Sequence, residues 1–100
     1  MDIITGFRGS GKTTQLVKRA VETQSTIVCP HRLSCENIQR IAKENELVIP
    51  EPMTWKEFLA SKGARRGAKS YMFDELETML IDTAKGRPIE AVTFSIEKLK

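Results

Sequence analysis

Apolar residues recur along this chain with two spacings, and the alternation of the two predicts a series of short strands and helices. Ile3 and Ile4 sit in a strand over residues 2–5, directly before a glycine-rich stretch. From Gln15 to Glu22, Leu16, Val17, Ala20 and Val21 return at helical spacing with Lys18, Arg19 and Glu22 opposite them, so that stripe packs on a sheet. Thr26, Ile27, Val28 and Cys29 form a continuous β-prone run stopped by Pro30, the pattern of a strand buried on both faces in a parallel sheet. Ser34 can cap a second helix with Ile38, Ile41 and Ala42 as its stripe. Leu47, Val48 and Ile49 end in Pro50-Glu51-Pro52 and read as an edge strand or an extended connection. Thr54 and Glu57 have the spacing of a capping box, with Trp55, Phe58 and Leu59 facing the core and the helix ending near Gly63. Tyr71, Met72 and Phe73 form another strand. Leu76, Met79, Leu80 and Thr83 continue as a helix that Gly86 and Pro88 stop, and Ile89–Ser95 returns as a fourth strand. The expectation is an α/β fold with a mainly parallel sheet of about four strands.

The glycine-rich stretch reads Gly6-Phe7-Arg8-Gly9-Ser10-Gly11-Lys12-Thr13 and matches G-x-x-x-x-G-K-[ST] at every fixed position. Gly6, Gly9 and Gly11 allow left-handed backbone and close approach. The N–H groups from Gly6 through Thr13, those of Phe7, Arg8 and Ser10 included, can then wrap phosphate oxygens at the positive end of the following helix. Lys12 is expected to reach the β- and γ-phosphates of a nucleotide, Thr13 to place its hydroxyl on Mg²⁺, and Thr14 to add an α-phosphate contact.

Further on, the strand Tyr71–Phe73 runs into the acidic pair Asp74-Glu75. With the loop at residues 6–13, this pair makes the chain resemble the P-loop NTPase superfamily, the loop standing as Walker A and Asp74-Glu75 as Walker B. The adjacent glutamate is similar to that of the additional-strand, catalytic-glutamate division, which holds the RecA-like, helicase and AAA-type proteins. That resemblance implies a three-layer α/β/α core in which Asp74 holds Mg²⁺ and Glu75 activates the attacking water. It also implies that the strand after Walker B lies between the Walker A and Walker B strands and presents Thr93 or Ser95 as a polar sensor. The chain lacks an assignable arginine finger and a fifth strand, and in this it resembles a truncated form like small phage or mobile-element ATPases.

The activity so implied is Mg²⁺-dependent ATP hydrolysis at the β–γ anhydride, with Lys12 and Glu75 catalytic. Two alternatives stay open. Gly-Lys-Thr-Thr-Gln-Leu over residues 11–16 loosely resembles the opening of thymidine kinases, so a nucleoside or nucleotide kinase is one. The other is a module that binds nucleotide and turns it over little.

Composition narrows the class without choosing among these. One hundred residues are expected to form one domain, 1–100, and 40% hydrophobic with 29% charged residues is ordinary for a globular protein. No apolar run is long enough to span a membrane and the first residues carry no signal-peptide pattern, so a cytoplasmic protein without membrane contact is expected. The net charge of +3 permits an anionic partner. Lys62, Arg65, Arg66 and Lys69 lie in a basic, glycine-containing loop, readable as a solvated connection or as a contact to nucleic acid or to a neighbouring subunit's phosphates. Without an arginine finger in cis, association with a second copy or a partner protein is also expected. Cys29, His31 and Cys35 are zinc-ligand types, but no fourth ligand is near, and reduced, packed thiols are the better reading. Pro30, His31 and Arg32 fall at the carboxyl edge of a strand, where ligands of open α/β folds bind, or form a plain turn.

Overall fold

A computed structural model of the chain describes residues 3–6, 9, 11–61 and 67–93. Its elements in order are α1 (Lys12–Thr23), β1 (Thr26–Cys29), α2 (Arg32–Glu44), β2 (Met53–Thr54), α3 (Trp55–Ala60), β3 (Tyr71–Phe73) and α4 (Leu76–Thr83). The strands form a parallel sheet in the order β2-β1-β3. β1 is central and buried at every position, which is why its four residues carry no polar/apolar alternation.

Side-chain alternation along β1 divides the core in two. Ile27 and Cys29 face Val17 and Ala20 of α1 and Cys35, Ile38 and Ala42 of α2. Val28 faces the other way, onto Met53 and Met79, with Trp55, Phe58, Tyr71 and Leu76 packed around them. Helices therefore cover both faces, α1 and α2 on one and α3 and α4 on the other. The register Thr26↔Tyr71, Ile27↔Met72 and Val28↔Phe73 carries the same alternation across to β3.

The capping box at α3 is formed as expected: Glu57 N–H donates to Thr54 Oγ1 at 3.1 Å, and Thr54 N–H donates to Glu57 Oε1 at 2.9 Å. The Thr54 N–H, joined by the neighbouring Arg32 guanidinium, holds the Glu57 carboxyl below the usual carboxylate range. Thr54→Ala is expected to cost about 1 kcal/mol of stability, read as a lower urea midpoint with an unchanged slope. The helix ends at Ala60, before Gly63, and Leu59 points outward at 54% exposure instead of packing on the core.

Other boundaries also shift. α1 begins at Lys12, three residues before the periodic stripe, because Gly11 supplies its N-cap. α2 begins at Arg32 behind His31, which places Ser34 inside the helix, not at its cap. Leu47–Ile49 carry no ladder; the edge strand is Met53–Thr54.

Two expected strands carry no ladder in their described residues. Ile3–Thr5 and Ile89–Thr93 are irregular, and within them Ile3, Ile89 and Val92 are exposed at 42–55%. A strand exists through its ladder bonds, and neither segment has a neighbour in register. Asp2, Phe94 and Ser95, the rest of those two predictions, lie outside the described residues.

Candidate phosphate-binding site

The loop between residue 6 and α1 is shaped by two glycines. Gly9 and Gly11 have φ of 82° and 84°, and a Cβ at either would meet nothing within 4 Å. Glycine is therefore required at these positions by backbone conformation and not by crowding. Gly11 caps α1 without a side-chain hydrogen bond, and the first turn of α1 carries no acidic residue. The N–H groups at a helix start and the positive end of its dipole suit an anion. Lys12 Nζ donates to the Gly6 carbonyl at 2.6 Å, so the ammonium is folded back across the loop. Gly6 itself has no left-handed backbone; its contribution here is the carbonyl. Thr14 is half-buried in the first turn, while Phe7, Arg8 and Ser10 lie outside the described residues.

The strand end brings the second half of the site to the loop. Asp74 N–H donates to the Val28 carbonyl at 2.9 Å, continuing the β1–β3 ladder by one residue and fixing Asp74 at the carboxyl edge of the sheet. Its side chain is buried, and Thr13 Oγ1 donates to Asp74 Oδ2 at 3.3 Å, across 61 residues of sequence. Burial pushes the Asp74 carboxyl above the usual carboxylate range. The negative charges of Glu75 and Glu77 push in the same direction, while the Thr13 hydrogen bond and the Lys12 charge oppose it.

Because that acidity is weakened in the folded chain, the protonated carboxyl favours folding at acid pH, and this contribution is lost as pH rises through the raised folded value. Asp74→Asn keeps an acceptor for the Thr13 hydroxyl and removes the buried charge. The metal-free variant is expected to melt a few degrees above the wild type at pH 7, with the gain shrinking toward about pH 4 in a thermal melt series.

Glu75 has φ 54° and ψ 54°, left-handed backbone at a residue with a side chain, and it is the exposed N-cap of α4 without a side-chain cap bond. That conformation costs on the order of 1 kcal/mol for a residue other than glycine. It is held by the Thr78 and Met79 N–H groups, which donate to the Glu75 carbonyl at 3.0 and 3.4 Å. Lys12, Asp74 and Glu75 all line one cleft of about 690 Å³. Glu77 lines it too and was not singled out from the sequence; its position three residues after Asp74, one helical turn on, is the signal that could have found it.

The remaining candidates separate from this site. His31 is on the surface with Nε2 3.5 Å from Asp82 Oδ2, and the Arg32 guanidinium lies 2.8 Å from Glu57 Oε1, so this turn ties α2 to α4 and α3. Cys29 and Cys35 are free, buried thiols. The Cys29 S–H donates to the Met53 carbonyl at 3.4 Å, and burial pushes this thiol far above its ordinary range, which keeps it protonated at neutral pH. Among the described residues no cluster of three His, Cys, Asp or Glu side chains could hold a metal. Thr93 ends the exposed irregular stretch instead of standing on a strand inside the sheet, and Ser95 lies outside the described residues. Lys69 is exposed, and Lys62, Arg65 and Arg66 lie outside the described residues. No helix among the described residues is long and apolar enough to cross a membrane.

Comparison of the chain with known protein families, with curated proteins and with solved structures found no match.

Proposed function

We propose that this chain is a P-loop-type nucleotide-binding core of the catalytic-glutamate kind that hydrolyses ATP with Mg²⁺. The observation that carries the reading is the Thr13–Asp74 hydrogen bond, which joins the hydroxyl after the loop lysine to the first carboxylate after β3. Two motifs far apart in sequence are expected to share one ion, and their oxygens lie 3.3 Å apart.

The donor set fits Mg²⁺. A hydroxyl and a single carboxylate are hard oxygen ligands, and this ion takes one or two protein carboxylates and completes its shell with phosphate oxygens and water. Asp74 is buried beside two further carboxylates, so a cation there relieves the repulsion that weakens its acidity. Thr13 and Asp74 would hold the ion, and its charge would neutralise the β- and γ-phosphates.

The rest is done by this chain's own groups. The Lys12 ammonium exchanges the Gly6 carbonyl for phosphate oxygens, and the N–H groups at the start of α1 take the others. Glu75, at the mouth of the same cleft, orients a water and accepts its proton.

The test is binding and hydrolysis of ATP and GTP by the purified chain, with Mg²⁺ or with a chelator, and with or without an added nucleoside. Mg²⁺-dependent release of phosphate supports the reading. Phosphate transfer to the nucleoside would make the chain a kinase, and tight binding without turnover would make it a nucleotide-holding module. In the same assay Asp74→Asn is expected to lose the Mg²⁺-dependence of nucleotide affinity.

A further inference from the structure

One carboxylate of the cleft belongs to neither motif. Glu77 lies in the first turn of α4, beyond the acidic pair, and lines the same cleft as Lys12, Asp74 and Glu75. It is exposed and stands outside both core clusters, so packing does not account for it. An acidic residue in a first turn complements the helix dipole, and that alone would suit a glutamate at this position. The cleft adds something the dipole does not require. After burial itself, the charges of Glu75 and Glu77 push the Asp74 carboxyl above its usual range, so the negative field of Glu77 is felt at the group that would hold the ion.

The charge lining the cleft is uneven. Asp74, Glu75 and Glu77 stand there against the cationic side chains of Lys12 and Arg19. A bare nucleoside triphosphate is a multiply charged anion, and a further carboxylate works against its entry. Its Mg²⁺ complex is less negative, and the ion itself is attracted by the same carboxylate. One side chain therefore acts with opposite signs on the phosphates and on the ion.

We propose that Glu77 is a specificity-determining residue that makes this cleft prefer the Mg²⁺ complex of a nucleoside triphosphate over the metal-free anion. The proposal rests on the nucleotide-binding reading above and names the form of the ligand that the site accepts. Glu77 takes no part in bond making. Glu75 carries a charge too, but its part as the base joins charge to proton transfer, whereas Glu77 contributes charge alone. With Glu77 neutral, the bare nucleotide meets less repulsion. For the complex, the lost attraction to the ion offsets the lost repulsion of the phosphates. The coupling between ion and nucleotide therefore shrinks.

The experiment is calorimetric titration of the full chain with ATP, in Mg²⁺ and in chelator, for the wild type, Glu77→Gln and Glu77→Asp. Glu36→Gln, which neutralises an exposed carboxylate of α2 outside the cleft, is the control. Glu77→Gln is expected to bind ATP in chelator roughly three- to tenfold more tightly than the wild type, and Mg²⁺–ATP within about twofold of it. Glu77→Asp keeps the charge and is expected to keep the wild-type ratio of the two affinities, as is Glu36→Gln. The gap between Glu77→Gln and the wild type should close in high salt, which screens a charge and would not restore a distorted helix. The wild-type ratio in Glu77→Gln overturns the proposal. So does an equal change in Glu77→Asp or Glu36→Gln, a change that persists in high salt, or a wild type that binds ATP equally with and without Mg²⁺. A wild type that binds no nucleotide in either condition overturns the nucleotide reading itself, and the selectivity falls with it.

Discussion

Glu75→Gln is expected to bind Mg²⁺–ATP as tightly as the wild type and to hydrolyse it on the order of 10² to 10⁴ times more slowly. The amide has the size of the carboxylate and can still orient a water, but it cannot take the proton. Folding should not suffer, because Glu75 is exposed and its side chain makes no cap bond to α4. The substitution does remove one of the negative charges that weaken the acidity of Asp74, so Mg²⁺ affinity should stay level or fall slightly while turnover collapses. Single-turnover measurements with saturating Mg²⁺–ATP separate the two quantities. A variant that hydrolyses at the wild-type rate would make Glu75 no more than the left-handed cap of a surface helix.

Lys12→Ala should remove nucleotide binding and leave the fold standing. Two charge-assisted contacts to phosphate oxygens are worth roughly 1.5–3 kcal/mol each, so affinity is expected to fall by about a hundredfold or more. Lys12 gives the folded chain little in exchange, since its partner is the carbonyl of Gly6 in an exposed part of the loop and its stem belongs to neither core cluster. The melting temperature without nucleotide should therefore match the wild type. Calorimetric titration beside a thermal melt checks both halves, and wild-type affinity in this variant would remove the phosphate-loop assignment.

The parts of this fold that could be read from the sequence are those whose pattern is local. The stripes of α1 and α2, the continuous β-prone run of β1 and the Thr54–Glu57 box each carry their signal within a few residues, and each formed. The α/β class followed from their alternation. Boundaries were less legible, because they depend on caps: Gly11 starts α1 through left-handed backbone, and nothing in the apolar spacing marks that. Ile3–Thr5 and Ile89–Thr93 look like strands by composition and lack ladders because a strand is a relation between two segments. Ile3–Thr5 and Val92 line the same cleft, and neither segment carries a ladder there. For the site, the loop and the acidic pair were visible as motifs. The approach of Thr13 to Asp74, the return of Lys12 to Gly6 and the backbone of Glu75 were not, since all three depend on tertiary geometry.

The ladder that carries Asp74 is built from distant parts of the chain: Ser25 meets Ser70 across 45 residues at one end of it, and Thr13 meets Asp74 across 61 beyond the other. Among the described residues every strand pair is parallel, so no hairpin shortens these closures. Such contacts form late and slowly, after the local helices. A partly folded chain is then expected to have its glycine-rich loop without Asp74 beside it, and only the finished sheet presents both. A ligand that touches the two together binds the native state and no precursor of it. It would raise apparent stability by about 2.7 kcal/mol at a hundred times its dissociation constant, so under the proposed function a nucleotide would act as a folding partner as well as a substrate.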